Sequence, residues 1–216
     1  MNIESIRMTN WSFKLCEDNL KDMEAPCMDP VWIGAVSDEV MLQEVLALKD
    51  AGFNTLIVEG LRRIMLYEHN RESAEVRAAI ARAAGIAHGE GMNLFYHSTC
   101  SFANPSLGIF TEHEKTMFSV DGETGEYAFI QDWGGWYLWC MNNPDFRNEY
   151  YRLAKLMVEE TQVDGMMTDE VYFRTGWFDC VCPHCLEKFG KAGPKPDFSN
   201  PDWREWIRFR LQSTGD

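Results

Sequence analysis

Val163-Asp-Gly-Met-Met-Thr-Asp-Glu170 is the stretch on which the reading of the fold turns. Its apolar centre reads as a short buried strand, and the strand runs out into two adjacent carboxylates, Asp169 and Glu170. In a parallel α/β fold the carboxyl ends of the strands are where side chains converge on a ligand, so acids at such an end stand where chemistry takes place. Alternation along a strand turns neighbouring side chains to opposite faces, so one of the two acids aims into the mouth and the other away from it. The structural alternative is a carboxylate that caps a helix or pairs with Arg174.

Working outward, the same rhythm recurs along the chain. A helical pattern over about Asp145 to Thr161, opening after Asn143-Pro144, precedes this strand. Upstream, Val31 to Val36 is predicted as the first strand. Ser37 or Asp38 caps the next helix, with Val40, Leu42, Val45, Leu46, Leu48 and Ala51 as its apolar stripe and Gly52 as its stop. Asn54 to Glu59 is the second strand, an alanine-rich helix follows from about Ser73 to His88, and Asn93 to His97 is the third strand. A last helix is expected over about Asp202 to Gln212.

Strands alternating with helices predict an α/β fold with a parallel sheet. Four such βα units in series suggest the amino-terminal half of a (β/α)8 barrel, apparently truncated, over residues 1–216; a stand-alone half barrel or a flavodoxin-like open sheet is the alternative. The rhythm breaks over about 98–143, a long aromatic insertion in which Thr116 to Val120 and Tyr127 to Ile130 read as a hairpin. A Cys-rich loop occupies 179–189.

In that loop, Cys180-Val-Cys-Pro-His-Cys185 places three thiols within one short turn. Tetrahedral zinc takes four such ligands, and a site closed by four protein ligands is structural, with no open position for catalysis. The fourth must come from elsewhere: Cys140, in the segment feeding the helix before the last strand, is preferred, with Cys100 the competing donor and His184 the less favoured. Free thiols are the plain alternative. Glu59 and His97 end the second and third strands, and Arg62 follows closely; each suits a substrate hydroxyl or an ordinary structural role. Trp133, Trp136, Tyr137 and Trp139 stand before Cys140 as either a sugar platform or the packing of a long loop.

Composition narrows the function classes. The 34 Asp and Glu against 20 Lys and Arg leave a formal net charge of -14, which repels phosphate backbones and anionic membrane surfaces, so neither nucleic acid nor membrane is expected as a partner. The amino terminus has no basic region followed by an apolar one, and no apolar run of about 18 residues occurs. Seven cysteines, an odd number with three in one motif, fit a reducing, cytoplasmic compartment better than a disulfide framework. A homo-oligomer is compatible with all of this.

Cys140-Met-Asn-Asn-Pro-Asp-Phe-Arg-Asn-Glu149, Asp164-Gly-Met-Met-Thr-Asp-Glu170 and Cys180-x-Cys-x2-Cys-x3-Phe189 together resemble glycoside hydrolase family 42 β-galactosidases and related glycosidase-like barrels. The resemblance covers about residues 140 to 190. It implies a structural zinc held by Cys140, Cys180, Cys182 and Cys185, a carbohydrate substrate, and Glu170 as acid/base of a retaining mechanism whose nucleophile lies on strand seven, beyond residue 216. Two positions depart from the family. Asp169 replaces the Asn before the catalytic Glu, setting two carboxylates side by side, and Trp136 replaces an arginine that precedes the first zinc cysteine.

Overall fold

The computed structural model describes residues 6–11, 37–58, 71–103, 110–130, 135–169, 180–194 and 197–215. Within them the chain falls into two units, Met1–Ser98 with Tyr151–Asp169, and Thr99–Tyr150 with Glu170–Asp216.

The first unit begins with β1 (Met8–Trp11), continues through α1 (Asp38–Asp50), β2 (Thr55–Val58), α2 (Arg71–Gly89) and β3 (Asn93–Thr99), and later takes up most of a helix and a last strand. β1 pairs with β2 in parallel, Met8 opposite Thr55 and Trp11 opposite Val58, and β2 with β3, Thr55 opposite Asn93 and Val58 opposite Tyr96. The first strand predicted from sequence, 31–36, lies outside the described residues. The described sheet instead opens on Met8–Trp11, which carries no run of β-branched residues and owes its state to its neighbour. Asn54 N donates to Arg7 O at 3.0 Å, and Arg7 N donates to Asn54 Oδ1 at 2.8 Å.

All four residues of β2 are buried, Thr55 included, as expected of a central parallel strand covered on both faces. α2 buries Ala79, Ile80, Ala83, Ala84 and Ala87, a stripe at helical spacing whose small side chains let the helix lie close. α1 corrects the sequence reading. It buries Met41 and Val45, while Val40, Leu42 and Leu46 are 45%, 38% and 37% exposed. The helix is rotated relative to the expected stripe, with Met41 turned inward and Asp38 paired with Arg82 on α2 at 2.8 Å. Its start is as expected: the Ser37 hydroxyl accepts from Val40 N at 3.4 Å.

The second unit contains β4 (Phe102–Ala103), the single turn α3 (Glu112–Lys115), β5 (Phe129–Ile130) and β6 (Trp136–Leu138). The segment expected as an irregular insertion thus carries its own antiparallel sheet in the order β4-β6-β5. The expected hairpin is present as the bridge Val120 to Tyr127, with Ala128 N donating to Ser119 O at 2.8 Å, and β6 runs antiparallel beside β5. Asp121 turns the hairpin: its Oδ1 accepts from Glu123 N and Thr124 N at 2.8 and 2.9 Å. Phe110, Phe118, Tyr137 and Trp139 pack edge-on or stacked behind it, with centroids 4.8 to 6.2 Å apart.

Gly135 opens the last strand of this sheet at φ +86, where L side chains are strained, and a β-carbon there would lie 2.7 Å from Phe129 Cζ. Phe129 is 36% exposed, so its ring can swing aside, and the backbone term dominates. Gly135→Ala is therefore expected to destabilise the protein by about 1–2 kcal/mol, read as a lowered denaturation midpoint. An unchanged midpoint would contradict the backbone assignment.

Four further elements follow among the described residues: α4 (Pro144–Thr161), β7 (Gly165–Asp169), α5 (Pro183–Phe189) and α6 (Pro201–Gly215). β7 joins the first unit's sheet beside β3, giving the order β1-β2-β3-β7. Asp164 secures this pairing: its backbone N donates to Leu94 O at 2.8 Å, and its Oδ2 accepts from Leu94 N at 2.8 Å and lies 2.9 Å from His88 Nε2. Arg77 on α2 also pairs with Glu160 on α4.

Among the described residues, spatial order follows chain order, with no reversal. A doubly wound sheet reverses direction at its switch point, and the described strands show no such reversal. A parallel series of βα units added always on the same side is the arrangement of part of a (β/α)8 barrel.

Candidate metal centre

Local structure brings three cysteines to one point. Cys182 is the N-cap of α5, Pro183 occupies its first position, where a missing N–H is harmless, and Cys185 follows within the first turn. Cys180 stands at φ +83, a left-handed conformation that disfavours any residue with a β-carbon by about 1–2 kcal/mol. A side chain retained at such a position points to a use for its thiol. The neighbouring backbone fixes it: Val181 N donates to Val120 O at 2.9 Å, and Val120 N donates to Cys180 Sγ at 3.4 Å.

Cys140 arrives from the opposite direction, just beyond β6. Its N donates to Met117 O at 2.8 Å and its carbonyl accepts from Asn143 N at 2.9 Å. Asn143 in turn caps α4, its Oδ1 accepting from Asp145 N at 2.9 Å. The sulfur of Cys140 lies 3.5 Å from those of both Cys182 and Cys185, and all four sulfurs lie within 4.8 Å of one another. Neither Cys100 nor His184 belongs to this group.

The donor set suits a closed tetrahedral site. Bonds of about 2.3 Å to a tetrahedral zinc place sulfurs about 3.8 Å apart, which is the observed scale, whereas a disulfide needs about 2.05 Å. All four cysteines are free thiols and buried. The thiols also act on one another. Hydrogen bonds to Cys180, Cys182 and Cys185 raise the pKa of Cys140, while at Cys182 the hydrogen bond with Cys140 is the largest influence and lowers it. Left to themselves, the four thiols share protons among donors and acceptors; becoming four thiolates together requires a cation.

The surroundings of the sulfurs were not anticipated from sequence. Arg210 Nη1 donates to Cys185 Sγ at 2.7 Å, and Asn142 Nδ2 donates to the same sulfur at 3.4 Å and to Ser213 Oγ at 3.0 Å. Lys188 Nζ donates to Asn142 Oδ1 at 3.3 Å. Trp203 and Trp206 of α6 are buried against the cysteines, with Phe189 4.7 Å edge-on to Trp206. The available signal was Arg210 itself, a charge in register with Trp203 and Trp206 on the buried stripe of α6.

The other candidates fare differently. Glu170, Glu59 and Arg62 lie outside the described residues. Asp169 is the last described residue of β7. His97 is buried within β3. Trp136 is 8% exposed, pairs with Ile130 and packs 5.6 Å from Phe102, and Trp139 donates from Nε1 to Phe102 O at 3.1 Å and stacks on Phe146. Of the two uses weighed for this aromatic segment, packing is the one these two rings display.

No family model matches the chain, and no curated protein matches it. Solved structures do. A maltogenic α-amylase from Thermotoga neapolitana is 14% identical with a TM-score of 0.55, over 80% of this chain and 41% of that one. An α-amylase from Anoxybacillus is 14% identical with a TM-score of 0.51, over 98% and 46%. An α-galactosidase from Lactobacillus brevis is 9% identical with a TM-score of 0.52, over 82% and 22%. The structural neighbours are thus glycoside hydrolases of the (β/α)8 class, and at these identities they speak for the fold alone. The chain spans less than half the length of each. No helix among the described residues is long and apolar enough to cross a membrane.

Proposed function

We propose that this chain is part of a retaining glycoside hydrolase related to the family 42 β-galactosidases, acting on a carbohydrate substrate in a reducing, cytoplasmic compartment. The observation that carries the reading is the meeting of Cys140 with Cys182, 42 residues away in sequence, and with Cys180 and Cys185. The family resemblance requires that meeting; three clustered cysteines alone do not. The glycosidase-like fold supports the reading at a coarser level.

In this proposal the four cysteines hold a structural zinc that braces the chain after β7. The zinc takes no part in the chemistry, since four thiolates close its coordination sphere. That closure also speaks against a zinc-dependent hydrolase. Glu170 donates the proton to the departing glycosidic oxygen and afterwards accepts one from water; such an acid must stay protonated near neutral pH, and the Asp169 carboxylate would favour this by like-charge repulsion if the oxygens of the two groups approach. The nucleophile is a second carboxylate about 5–5.5 Å from it, contributed from outside this chain.

The test uses the protein with its complete barrel. Turnover of a panel of aryl glycosides, with zinc measured in the same preparation, is expected to find activity on at least one sugar and stoichiometric metal. A folded, zinc-loaded protein that cleaves none of them would favour a catalytically silent carbohydrate-binding barrel.

A further inference from the structure

We propose that Arg210 is the positioning and charge-compensating partner of the metal centre, so that α6 governs how tightly the metal is held. This rests on the metal reading above and goes beyond the ligands. A dication with four thiolates leaves two net negative charges, here buried beneath Trp203 and Trp206, and buried charge is costly unless compensated and hydrogen-bonded.

Arg210 answers that need. It is 6% exposed and permanently protonated, and its Nη1 lies 2.7 Å from Cys185 Sγ, the separation of a charge-assisted bond. A second side-chain donor reaches the same sulfur, because Asn142 Nδ2 also donates to Cys185 while it holds Ser213 of α6. Lys188 adds a second positive charge behind Asn142. A guanidinium on the stripe of α6 that otherwise carries Trp203 and Trp206 is accounted for by the thiolates it faces. Donation from Arg210 draws electron density on the Cys185 sulfur away from the metal, and it holds that ligand in the direction of coordination.

The experiment compares the full chain with Arg210→Met and Arg210→Lys. Zinc affinity and release are followed with a chromophoric chelator, and the sulfur-to-metal charge-transfer band is followed after exchange to Co(II). Arg210→Met is expected to retain the four-sulfur cobalt spectrum, bind metal about 10–100-fold more weakly, and show its charge-transfer band at longer wavelength, since the sulfur loses a hydrogen bond. Arg210→Lys keeps the charge without the planar fork and should fall between; it serves alone if Arg210→Met does not fold. Simple loosening of α6 would speed release without moving the band and would not be relieved by Lys. Wild-type affinity and band position in whichever variants fold would overturn the proposal while leaving the metal reading intact. A wild-type chain that takes up neither zinc nor cobalt would overturn both.

Discussion

Cys182→Ser is expected to empty the metal centre and unfold the core built around it. Cys182 supplies one of the four sulfurs, 3.5 Å from that of Cys140, so its loss opens the coordination set that would join the segment after β6 to the Cys-rich turn. A structural zinc contributes about 10–16 kcal/mol of apparent binding free energy in small zinc-binding peptides, comparable with the whole stability of a typical domain, about 5–15 kcal/mol. The residues that depend on it are identifiable. Trp203 and Trp206 lose the packing partner of their buried faces, so tryptophan emission should shift to the red and zinc content should fall from stoichiometric toward zero. Chelation of the wild type, or acidification that protonates the thiolates, should reproduce the change. A Cys182→Ser protein with wild-type emission and melting would mean that the four thiols pack together without a metal.

Glu170→Gln is expected to lower turnover of glycosides with poor leaving groups by about 10²–10⁴-fold in the complete protein, with a much smaller loss for aryl glycosides whose leaving groups need no proton. That selectivity is the signature of a lost proton donor, because a residue that merely supports the fold would reduce both substrates alike. Asp169→Asn provides a second measurement. If the two carboxylates approach each other, removing the Asp169 charge should move the alkaline limb of the pH profile, where the donor is lost, to lower pH. Equal loss on both substrate classes would remove Glu170 from the donor role.

Much of the fold could be read from local pattern, and the places where it could not share one cause. The helices over Asp38–Asp50, Pro144–Thr161 and Pro201–Gly215 and the strands over Thr55–Val58 and Gly165–Asp169 follow from apolar spacing, caps and breakers, all of which act within a few residues. The helix Pro183–Phe189 carries local signals of the same kind, Pro183 at its first position and Gly190 just past its end. Met8–Trp11 had no such signal, because its strand state depends on the register with Thr55–Val58. Which face of α1 is buried depended on α2, and the order of the sheet depended on the whole first unit.

The candidate site divides along the same line. Cys180, Cys182 and Cys185 were legible as ligands because one turn of chain holds all three, and Asp169 and Glu170 because a strand visibly runs out into them. Choosing Cys140 over Cys100 and His184, turning Trp136 inward, and setting Arg210 against Cys185 are decisions between residues far apart in sequence. Spacing along the chain determines which groups can share a turn; only packing of distant segments decides which of them meet.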